Sequence, residues 1–500
     1  MCGVFGYVAK KWNEELASFF ALMGFFLQHR GQENCGAAFS NGDYIEDIIK
    51  GYGLVSTVFN DKFLKSFRDF QPLIATGHTR YATAGSKSMR CAQPQWMDFL
   101  EGRRVVCSNG DLPLLDQERK CLEDKEVFLL SSRNRQGEIV MPNDAEIILK
   151  KISLLAEENG RNFTKAIRDF MLTTKGAYST ALTFHDKLYL FRDPYGFRPL
   201  VYGYWKNSWV FASESCAFHE SEAKVEGEVK PGELIIFTLD GKIKKHQLVE
   251  PKRPGQRCPF EWIYFSRPDS RLFGIGEKEF FAFRYELGRK LYQEQPLEEG
   301  IVVGVPNSGI PAAKGFARGG NLNDKVLFVH TPYITRTFIE KEGHRERKSR
   351  LKYSLMPSLL SSLIGKIQTR QIKTPVKIII VDDSIVRLTT LKVLVSMVIE
   401  EWSNLGGQKK DLEIHTRIPS PMIKAPCYYG IDTPTYDELI AANHSEKEIA
   451  QILGAASVRY LSIKGLNETL DNFARPFNQE RNFCNACFTD RYPTEVEPRV

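Results

Sequence analysis

The chain has 500 residues, of which 42% are hydrophobic and 26% charged, with 37 Gly and 24 Pro. This is the composition of an ordinary globular protein, and it excludes collagen-like, low-complexity and disordered classes. The length allows two or three domains, and the net charge of +7, from 68 basic and 61 acidic residues, is too small for the dense basic face of a nucleic-acid binder.

Ten cysteines are scattered along the chain, at positions 2, 35, 91, 107, 121, 216, 258, 427, 484 and 487. They are too sparse for a disulfide framework, so a reducing compartment, the cytoplasm, is predicted. The longest apolar run, Leu16 to Leu27, is shorter than the roughly 18 residues that a membrane-spanning helix needs. It also lacks the small residues of a signal-peptide cleavage site. The run is therefore predicted to be a buried helix, with no membrane span.

The first 250 residues are predicted to be rich in strands. Apolar, β-prone segments predict strands at 1–9, 177–184, 188–192, 209–212 and 233–237, and helical spacing predicts helices over 144–155 and 163–172. The stretch from Val249 to Cys258 carries Pro251, Pro254 and Gly255 among basic residues, which is typical of a linker. We therefore predict a first domain over residues 2–250 and a second over 251–500.

After residue 250, strands and helices alternate. A strand at 300–306 leads into a helix over 311–317, and a strand from Val376 to Val381 leads into a helix from Leu391 to about residue 402. Such alternation predicts α/β architecture, with a parallel sheet and a site at the carboxyl ends of its strands. Two later segments, Thr435-x-x-Glu438 and Ser445-x-x-Glu448, indicate capping boxes at helix starts, with Gly454 as a stop.

The opening residues Met1-Cys2-Gly3 suggest a nucleophile. If Met1 is removed, Cys2 carries both a thiol and a free α-amine, whose ordinary pKa of about 7.7–8.0 suits a general base near neutrality. The alternative is a buried cysteine at the start of a strand. An acyl transferase also needs oxyanion donors and a clamp for a charged substrate. Asn109-Gly110 offers the donors, and Arg80 offers a guanidinium for a carboxylate.

Six segments, in one order, resemble the N-terminal-nucleophile (Ntn) glutaminase domain. They are Cys2-Gly-Val-Phe-Gly6, Leu27-Gln-His-Arg-Gly-Gln32, Gly77-His-Thr-Arg-Tyr81, Asn109-Gly110, Arg192-Asp-Pro-Tyr-Gly-Phe-Arg-Pro199 and Ala212-Ser-Glu-Ser215. The resemblance implies an α+β Ntn-hydrolase sandwich in which Cys2 attacks the glutamine amide and Asn109 and Gly110 form the oxyanion hole. It also implies that Arg80 and Asp144 hold the carboxylate and the amine of glutamine.

The run from Val376 to Thr390 combines a buried strand, two adjacent carboxylates and a hydroxyl-bearing turn that enters a helix. Backbone N–H groups at such a turn, together with the positive end of the helix, bind a phosphate. The carboxylates of Asp382 and Asp383 could hold ribose hydroxyls and Mg²⁺. A plain Asp-Asp-Ser helix cap is the alternative that these residues alone leave open.

The same run resembles the phosphoribosyl pyrophosphate (PRPP) motif of type I phosphoribosyltransferases. With 261–270, 305–309 and 336–339 it extends to a resemblance to the glutamine PRPP amidotransferase family over nearly the full chain. This implies an α/β type I phosphoribosyltransferase domain with a parallel sheet. The implied PRPP ligands are Asp382, Asp383, Ser384, Arg387, Thr389 and Thr390, and the implied Mg²⁺ ligands are Ser308, Asp382 and Asp383.

The resemblance also implies an activity. PRPP, glutamine and water would give 5-phosphoribosylamine, pyrophosphate and glutamate, the first step of de novo purine synthesis. The implied partners are the small molecules glutamine and PRPP and further copies of the chain in a homo-oligomer, with no nucleic acid and no membrane.

Four departures from the family pattern lie near these sites. Asp111 stands where Asn is common, Leu388 replaces the glycine of the phosphate loop, Leu391 replaces a small polar residue, and His330-Thr331-Pro332 replaces Lys-Asn-Arg. A bulky side chain at 388 is expected to obstruct the approach of the 5′-phosphate to the backbone amides. The alternative function is therefore that of a divergent paralogue with a glutaminase or regulatory role that no longer binds PRPP.

A basic run follows, from Lys341 to Lys352. Its six basic and two acidic residues give a local net charge of +4, and no aromatic residues of a nucleic-acid site are interleaved with them. A solvated face is the ordinary role of such a run. Its place beside the implied pyrophosphate loop favours an anionic small molecule.

Four late cysteines predict a metal centre. Cys484-x-x-Cys487 is a weak signal by itself, but Cys258 and Cys427 lie in segments that resemble the cluster-ligand segments of the family. The resemblance implies a structural [4Fe–4S] cluster on Cys258, Cys427, Cys484 and Cys487. Tetrahedral zinc is the less favoured alternative, which cysteine spacing does not exclude. The cysteines at 35, 91, 107, 121 and 216 are assigned no chemistry.

Overall fold

The structure of the protein is a computed structural model. It describes residues 1–46, 48–81, 88–134, 136–252, 256–271, 278–331, 350–433, 435–475 and 483–497.

Two antiparallel sheets dominate the N-terminal half. Their strands are β1 (Gly3–Ala9), β2 (Asn34–Ser40), β3 (Ile49–Tyr52), β4 (Ile74–Arg80), β5 (Gln95–Phe99), β6 (Gly102–Asp111), β7 (Ala177–Phe184), β8 (Lys187–Arg192), β9 (Val201–Trp205), β10 (Ser208–Ala212), β11 (Lys224–Glu228), β12 (Glu233–Thr238) and β13 (Ile243–Gln247). One sheet has the order β11-β9-β10-β1-β4-β2-β3, and the other has the order β13-β12-β8-β7-β6-β5. The strand that follows Cys2 is thus the central strand of the first sheet.

Helices cover the outer faces of both sheets. They are α1 (Glu15–Phe26), α2 (Val55–Val58), α3 (Asp61–Phe70), α4 (Leu115–Glu123), α5 (Asp144–Glu158) and α6 (Phe163–Thr173). Apolar side chains of α1 and α3 pack on the first sheet, and those of α5 and α6 pack on the second. A further apolar cluster, which includes Val4, Ile74 and Leu190, fills the space between the sheets. The layers run helix, sheet, sheet, helix, which confirms the predicted sandwich.

A parallel sheet organises the C-terminal half. Its strands are β14 (Ile301–Gly304), β15 (Asn323–Asp324), β18 (Val376–Val381), β19 (Leu412–Ile418) and β20 (Ser457–Tyr460), and a separate hairpin is formed by β16 (Phe328–His330) and β17 (Tyr353–Leu355). The order β15-β14-β18-β19-β20 is parallel at every pair. The predicted parallel sheet is confirmed, and β18 has the predicted bounds.

Helices lie on both faces of this sheet. They are α7 (Phe280–Glu294), α8 (Ile310–Gly320), α9 (Pro357–Gln368), α10 (Thr389–Asn404), α11 (Ile440–Asn443), α12 (Glu446–Leu453), α13 (Ile463–Ala474) and α14 (Ala486–Thr489). Residues of β18 alternate between the two sides: Ile379 and Val381 pack with α7, α8 and α13, while Ile378 and Ile380 pack with α9, α10 and α12. This is the period of two that a strand buried on both faces requires.

The predicted helix signals had mixed outcomes. Ser445 and Glu448 form the capping box of α12, and Gly454 ends that helix in the left-handed conformation at φ 68°. The box predicted at Thr435 is wrong, because only a three-residue 3₁₀ turn follows and Thr435 makes no side-chain cap. The Glu438 carboxylate pairs instead with Arg387. Among the described helices, none is both long and apolar enough to cross a membrane.

Candidate active site

Cys2 lies directly before β1, and its thiol is buried. The residue is 8% exposed, and its Sγ lies 3.7 Å from the carbonyl oxygen of Tyr81. Burial raises the pKa of the thiol, so a nearby base is needed to form the thiolate nucleophile. Burial lowers the pKa of the Met1 amine to about 5. Because the Cys2 backbone N–H donates to Asn109 Oδ1 at 3.1 Å, removal of Met1 would place the α-amine of Cys2 beside that amide.

The end of β6 supplies two hydrogen-bond donor groups near Cys2. The side-chain nitrogen Nδ2 of Asn109 is buried and makes no hydrogen bond within the described part of the chain. Gly110 faces Tyr178 across the ladder, but both backbone groups of Tyr178 bond to Asp193 instead. The pair is therefore a non-hydrogen-bonded one, in which the Gly110 N–H points away from β7. These two donors are available to an oxyanion.

Arg80 and Asp144 place opposite charges near the thiol. Arg80 ends β4 and Asp144 begins α5, and the residues are 2% and 8% exposed. Their charges act on the Cys2 thiol in opposite directions, since Asp144 raises its pKa and Arg80 lowers it. Burial, and then the charge of Asp111, raises the pKa of Asp144 to about 7. A carboxylate and a guanidinium in one buried pocket suit the two charged groups of an amino acid.

Asp111 should set the acid limit of glutamine use. If Asp144 must be ionised to bind the substrate ammonium, its raised pKa makes kcat/KM for glutamine fall as the pH drops below neutrality. The variant Asp111→Asn removes the like charge, so we expect the acid limb of the pH profile to move down by on the order of one pH unit. The exposed control Asp124→Asn should leave the profile in place, and an unmoved limb in Asp111→Asn would contradict the coupling.

Arg30 is a buried cation that joins Cys2 to the second half of the chain. It is 0% exposed, and its Nε donates to the Cys2 carbonyl at 2.8 Å. Its Nη2 donates to Glu261 Oε1 at 2.8 Å, and it also pairs with Glu214. The motifs that contain Arg30, Glu214 and Glu261 were recognised in the sequence, but no role was predicted for these three residues. A signal was available for Glu261, because it is a charged residue between the apolar residues Phe260 and Trp262.

Glu214 extends this network toward residues 266–270. Its Oε2 accepts hydrogen bonds from the Arg267 N–H at 2.9 Å and from Ser270 Oγ at 2.8 Å. Burial opposes ionisation, but His29 and Arg30 hold the pKa of Glu214 well below its ordinary value. The carboxylate is therefore charged, and it fixes the backbone that leads to the second site described below.

A second site opens at the carboxyl ends of β14 and β18. The cavity has a volume of about 630 Å³ and is lined by residues 306–308 and 382–391, with His330, Lys352 and Tyr353. This is the edge of a parallel sheet at which ligands bind. The structure thus brings together every residue that the sequence assigned to PRPP and Mg²⁺.

Three oxygen-bearing side chains meet in this cavity. Ser308 Oγ donates to Asp383 Oδ2 at 2.5 Å, and Ser384 Oγ donates to Asp383 Oδ1 at 2.6 Å. Burial, and then the neighbouring charge of Asp383, raises the pKa of Asp382 well above its ordinary value. Adjacent buried carboxylates with a hydroxyl are a donor set that suits Mg²⁺, and a cation would offset their repulsion.

The start of α10 faces the same cavity. Thr389 and Thr390 form its first turn, and both line the cavity. Helix N-termini bind anions through their free N–H groups. The side chain of Arg387 lines the cavity too, and its Nε pairs with Glu438 at 2.5 Å.

Leu388 adopts a backbone conformation that favours glycine. Its φ is 67°, a left-handed value that costs an L-residue about 1–2 kcal/mol. The residue is 6% exposed and packs in the apolar cluster on the α10 side of the parallel sheet. The Leu388 side chain therefore obstructs the phosphate loop less than the sequence predicted, because most of it is buried among apolar neighbours.

Restoring the glycine should destabilise the protein. Leu388→Gly relieves about 1 kcal/mol of backbone strain, but losing a buried leucine costs about 2–5 kcal/mol. We expect a net loss of about 2 kcal/mol in the free energy of unfolding, measured by urea denaturation. Arg370→Gly is the matched control, because Arg370 has φ 56° on an exposed turn. That variant should be neutral or slightly stabilised, and equal behaviour of the two would contradict the packing role of Leu388.

The basic run is described only at its C-terminal end. Lys352 lines the cavity, whereas Arg350 pairs with Glu400 at 2.9 Å. The other four basic residues of the run, and the segment Arg336-Thr-Phe-Ile339, lie outside the described residues.

The two sites share a wall. Phe25, Gln28 and His29 of the N-terminal half line the cavity at the end of the parallel sheet. The Tyr81 ring, whose backbone carbonyl faces the Cys2 thiol, packs edge-on against Phe265 with 6.4 Å between ring centroids, and Phe265 lines that cavity. One pair of aromatic rings, Tyr81 and Phe265, thus connects the surroundings of the Cys2 thiol to the second site.

Four cysteines line one enclosed apolar cavity. They are Cys258, Cys427, Cys484 and Cys487, with Phe197, Phe260 and Ile431 among the other lining residues. Burial raises the pKa of Cys258, Cys484 and Cys487, and each feels the charges of other cysteines of the group. The structure therefore brings together the four thiols that the sequence proposed as ligands.

Within the described ranges, the one group of three possible metal ligands closer than 4.8 Å to one another is His29, Glu214 and Cys216. His29 Nε2 lies 2.9 Å from Glu214 Oε1, and the Cys216 thiol donates to Glu214 Oε2 at 3.7 Å. The buried Arg30 already pairs with this carboxylate. The group is an ion-pair cluster rather than a metal site.

Comparisons with known proteins match one segment of the N-terminal half and, separately, nearly the full chain. A family model described as a glutamine amidotransferase domain matches residues 78–220. An amidophosphoribosyltransferase of Methanocaldococcus jannaschii is 34% identical, over 99% of this chain and 98% of that protein. Amidophosphoribosyltransferase 1, chloroplastic, of Arabidopsis thaliana is 37% identical, over 99% of this chain and 80% of that protein.

A solved structure is similar over the same length. Glutamine PRPP amidotransferase from B. subtilis, in complex with ADP and GMP, superposes with a TM-score of 0.81 at 32% identity, over 99% of this chain and 98% of that one.

Proposed function

The chain belongs to the amidophosphoribosyltransferase family, and from this premise we propose that it makes 5-phosphoribosylamine from PRPP and glutamine, the first step of de novo purine synthesis. The observation that carries the proposal is the shared wall between a buried N-terminal cysteine site and a phosphate-type cavity at the end of a parallel sheet. Residues 2–250 form the Ntn glutaminase domain in this proposal, and residues 251–500 form the phosphoribosyltransferase domain.

The first reaction is glutamine hydrolysis at Cys2. Arg80 holds the substrate carboxylate and Asp144 holds its amine. The Cys2 α-amine, free once Met1 is removed, takes the thiol proton, and Sγ attacks the amide carbon. Asn109 Nδ2 and the Gly110 N–H donate to the developing oxyanion. The protonated α-amine returns this proton to the amide nitrogen, ammonia leaves, and water then hydrolyses the thioester to glutamate.

The second reaction is displacement at ribose C1. The N-terminal turn of α10, with Thr389 and Thr390, binds the 5′-phosphate, and Asp382 and Asp383 orient the ribose hydroxyls. Ser308, Asp382 and Asp383 would hold Mg²⁺, which supplies charge neutralisation for the pyrophosphate leaving group. The shared wall keeps ammonia away from bulk water, where it would be protonated and lost.

The four-cysteine cavity suits an iron–sulfur cluster better than zinc. Tetrahedral zinc with Zn–S bonds of about 2.3 Å brings its thiolates within about 3.8 Å of one another. None of the cysteine triples in this group, all described residues, has its sulfur atoms within 4.8 Å of one another. A [4Fe–4S] cubane binds each thiolate at a separate iron and so holds them farther apart. We assign it a structural role.

Colour distinguishes the two metals. Protein purified without oxygen should show the broad visible absorption of a [4Fe–4S] cluster and about four irons per chain, and Cys487→Ser should lose both. The control Cys121→Ser removes an exposed thiol and should keep them. A colourless protein with one zinc per chain would contradict the assignment.

The alternative of a paralogue without PRPP binding gains no support. Leu388 packs in an apolar cluster, and the full-length relatives carry the name of the enzyme. We further propose a cytoplasmic homo-oligomer, on the strength of the family and of ten cysteines without a disulfide.

The proposed function is tested directly with the wild-type chain. With PRPP, Mg²⁺ and glutamine it should release glutamate and pyrophosphate in equal amounts, and calorimetry should detect saturable micromolar binding of PRPP. Glutamate release without pyrophosphate, together with no heat on titration of PRPP, would favour the glutaminase or regulatory alternative.

A further inference from the structure

We propose that Gly430, a residue of the C-terminal half, positions the oxyanion hole of the glutaminase site. This inference rests on the proposed function, because it takes the Gly110 N–H as an oxyanion donor. Gly430 acts through Gly110 and does not itself touch the substrate. The structural basis is a direct contact between the two backbones.

Gly430 and Gly110 meet without side chains between them. A Cβ atom added to Gly430 would lie 2.8 Å from the carbonyl oxygen of Gly110 and 2.9 Å from its carbonyl carbon, closer than real Cβ contacts. The φ of Gly430 is 100°, a left-handed value that favours glycine. Both the contact and the conformation therefore require glycine at position 430.

Gly110 is confined from the other side as well. A Cβ on Gly110 would lie 1.8 Å from the carbonyl oxygen of Ala177, on the neighbouring strand β7. The residue is thus held between Ala177 and Gly430. Because glycine is otherwise the most flexible residue, this double contact restricts rotation about the backbone bonds of Gly110 and so limits the movement of its N–H donor.

The segment that presents Gly430 is itself anchored at the preceding residue. Tyr429 donates its N–H to Cys427 Sγ at 3.3 Å and accepts at its carbonyl from Arg198 Nε at 2.7 Å. Its ring stacks on Phe197 with 4.2 Å between centroids and 12° between planes. Its hydroxyl lies 2.9 Å from Thr494 Oγ1. The backbone, the ring and the hydroxyl of Tyr429 are therefore all held in place directly before Gly430.

Chemically, the contact makes glutamine hydrolysis depend on the docking of the C-terminal half. An oxyanion hole works only if its donors are in place before charge develops. The N–H of Gly110 belongs to β6, but the residue that limits its movement, Gly430, belongs to the segment that Tyr429 anchors. Displacement of this segment would weaken the glutaminase step and leave the PRPP site unchanged.

The test compares two glycine-to-alanine variants. Gly430→Ala introduces both left-handed strain and the contact with Gly110. Gly406→Ala is the control, because Gly406 has φ 83° and no atom within 4 Å of an added Cβ. We expect Gly430→Ala to lower kcat for glutamine by about 10- to 100-fold, with KM for glutamine and the ammonia-dependent rate unchanged. Gly406→Ala should keep all three values.

A second readout reports on the oxyanion hole itself. Glutamate γ-semialdehyde, an aldehyde analogue of glutamine, adds to the Cys2 thiol and places an oxygen in the hole, whereas glutamate does not. Gly430→Ala should weaken semialdehyde inhibition by about the same factor as kcat and leave glutamate inhibition unchanged. If Gly430→Ala fails to fold, Tyr429→Phe can replace it, because this variant removes only the contact with Thr494. It should lower kcat for glutamine and weaken semialdehyde inhibition several-fold, and leave glutamate inhibition unchanged.

Three outcomes would overturn the inference. They are unchanged kcat and semialdehyde inhibition in folded Gly430→Ala, parallel loss of glutamate binding and ammonia-dependent activity, and an equal effect in Gly406→Ala. Failure of the proposed function is distinguishable, because the wild type would then produce no phosphoribosylamine from either nitrogen source.

Discussion

Cys2→Ala should abolish phosphoribosylamine formation from glutamine and leave formation from ammonia unchanged. The substitution removes the nucleophile, so the thioester cannot form, and losing a covalent nucleophile lowers kcat by about 10³-fold or more. The PRPP site keeps its residues, because Cys2 does not line that cavity. Exogenous ammonia would reach ribose C1 without the glutaminase step. The measurement is pyrophosphate release with glutamine and, separately, with ammonium chloride at a pH that supplies free ammonia.

Cys35→Ala is the matched control for this experiment. Cys35 lies on β2 of the same sheet and is 0% exposed, and burial raises the pKa of its thiol to about 12. A thiol with this pKa is protonated and unreactive near neutrality. The control should keep both activities. If folded Cys2→Ala loses both activities, or keeps glutamine-dependent product formation, the role assigned to Cys2 is wrong.

The sequence predicted secondary structure correctly where interactions between residues close in the chain determine it. In the run from Val376 to Val381 every residue except Lys377 is β-branched and apolar, and the run forms β18 with those bounds. Ser445 and Glu448 each accept a hydrogen bond from the other's backbone N–H, within one helical turn. Thr435 and Glu438 have the same spacing, but Glu438 instead pairs with Arg387, 51 residues away. A motif of a few residues carries no information about such a distant competitor.

The site was predictable in residue type and not in geometry. Resemblance placed Cys2, Asn109 and Asp144 in one function, and the fold brings them together from three separate elements. Arg30 was missed, because its partner Glu261 lies 231 residues away and no local pattern marks the pair. The sequence predicted that Leu388 would obstruct the phosphate loop. It did not reveal that the side chain is buried, because this burial depends on tertiary packing. The contact of Gly430 with Gly110 likewise exists only in the folded chain.

Asp382→Asn should lower activity and raise stability. The carboxylate is 7% exposed and adjacent to Asp383, and burial and that neighbour raise its pKa. A folded-state pKa above the unfolded value makes this group reduce the stability of the folded protein once the pH exceeds the unfolded value of about 3.9. The amide removes this cost at neutral pH. Its oxygen can still accept from the Asp383 N–H, as Oδ1 does now at 2.9 Å.

The same charge is needed for chemistry. Loss of one of the two carboxylates proposed to hold the ribose hydroxyls and Mg²⁺ should reduce pyrophosphate release by about 10²-fold or more, with ammonia as well as glutamine. The melting temperature should rise by about 2–4 °C for each 1 kcal/mol gained. The exposed Asp437→Asn should change neither quantity. A variant that loses activity and also stability would indicate a structural role for Asp382, whereas opposite changes in the two measurements identify a charge that the fold tolerates because the reaction requires it.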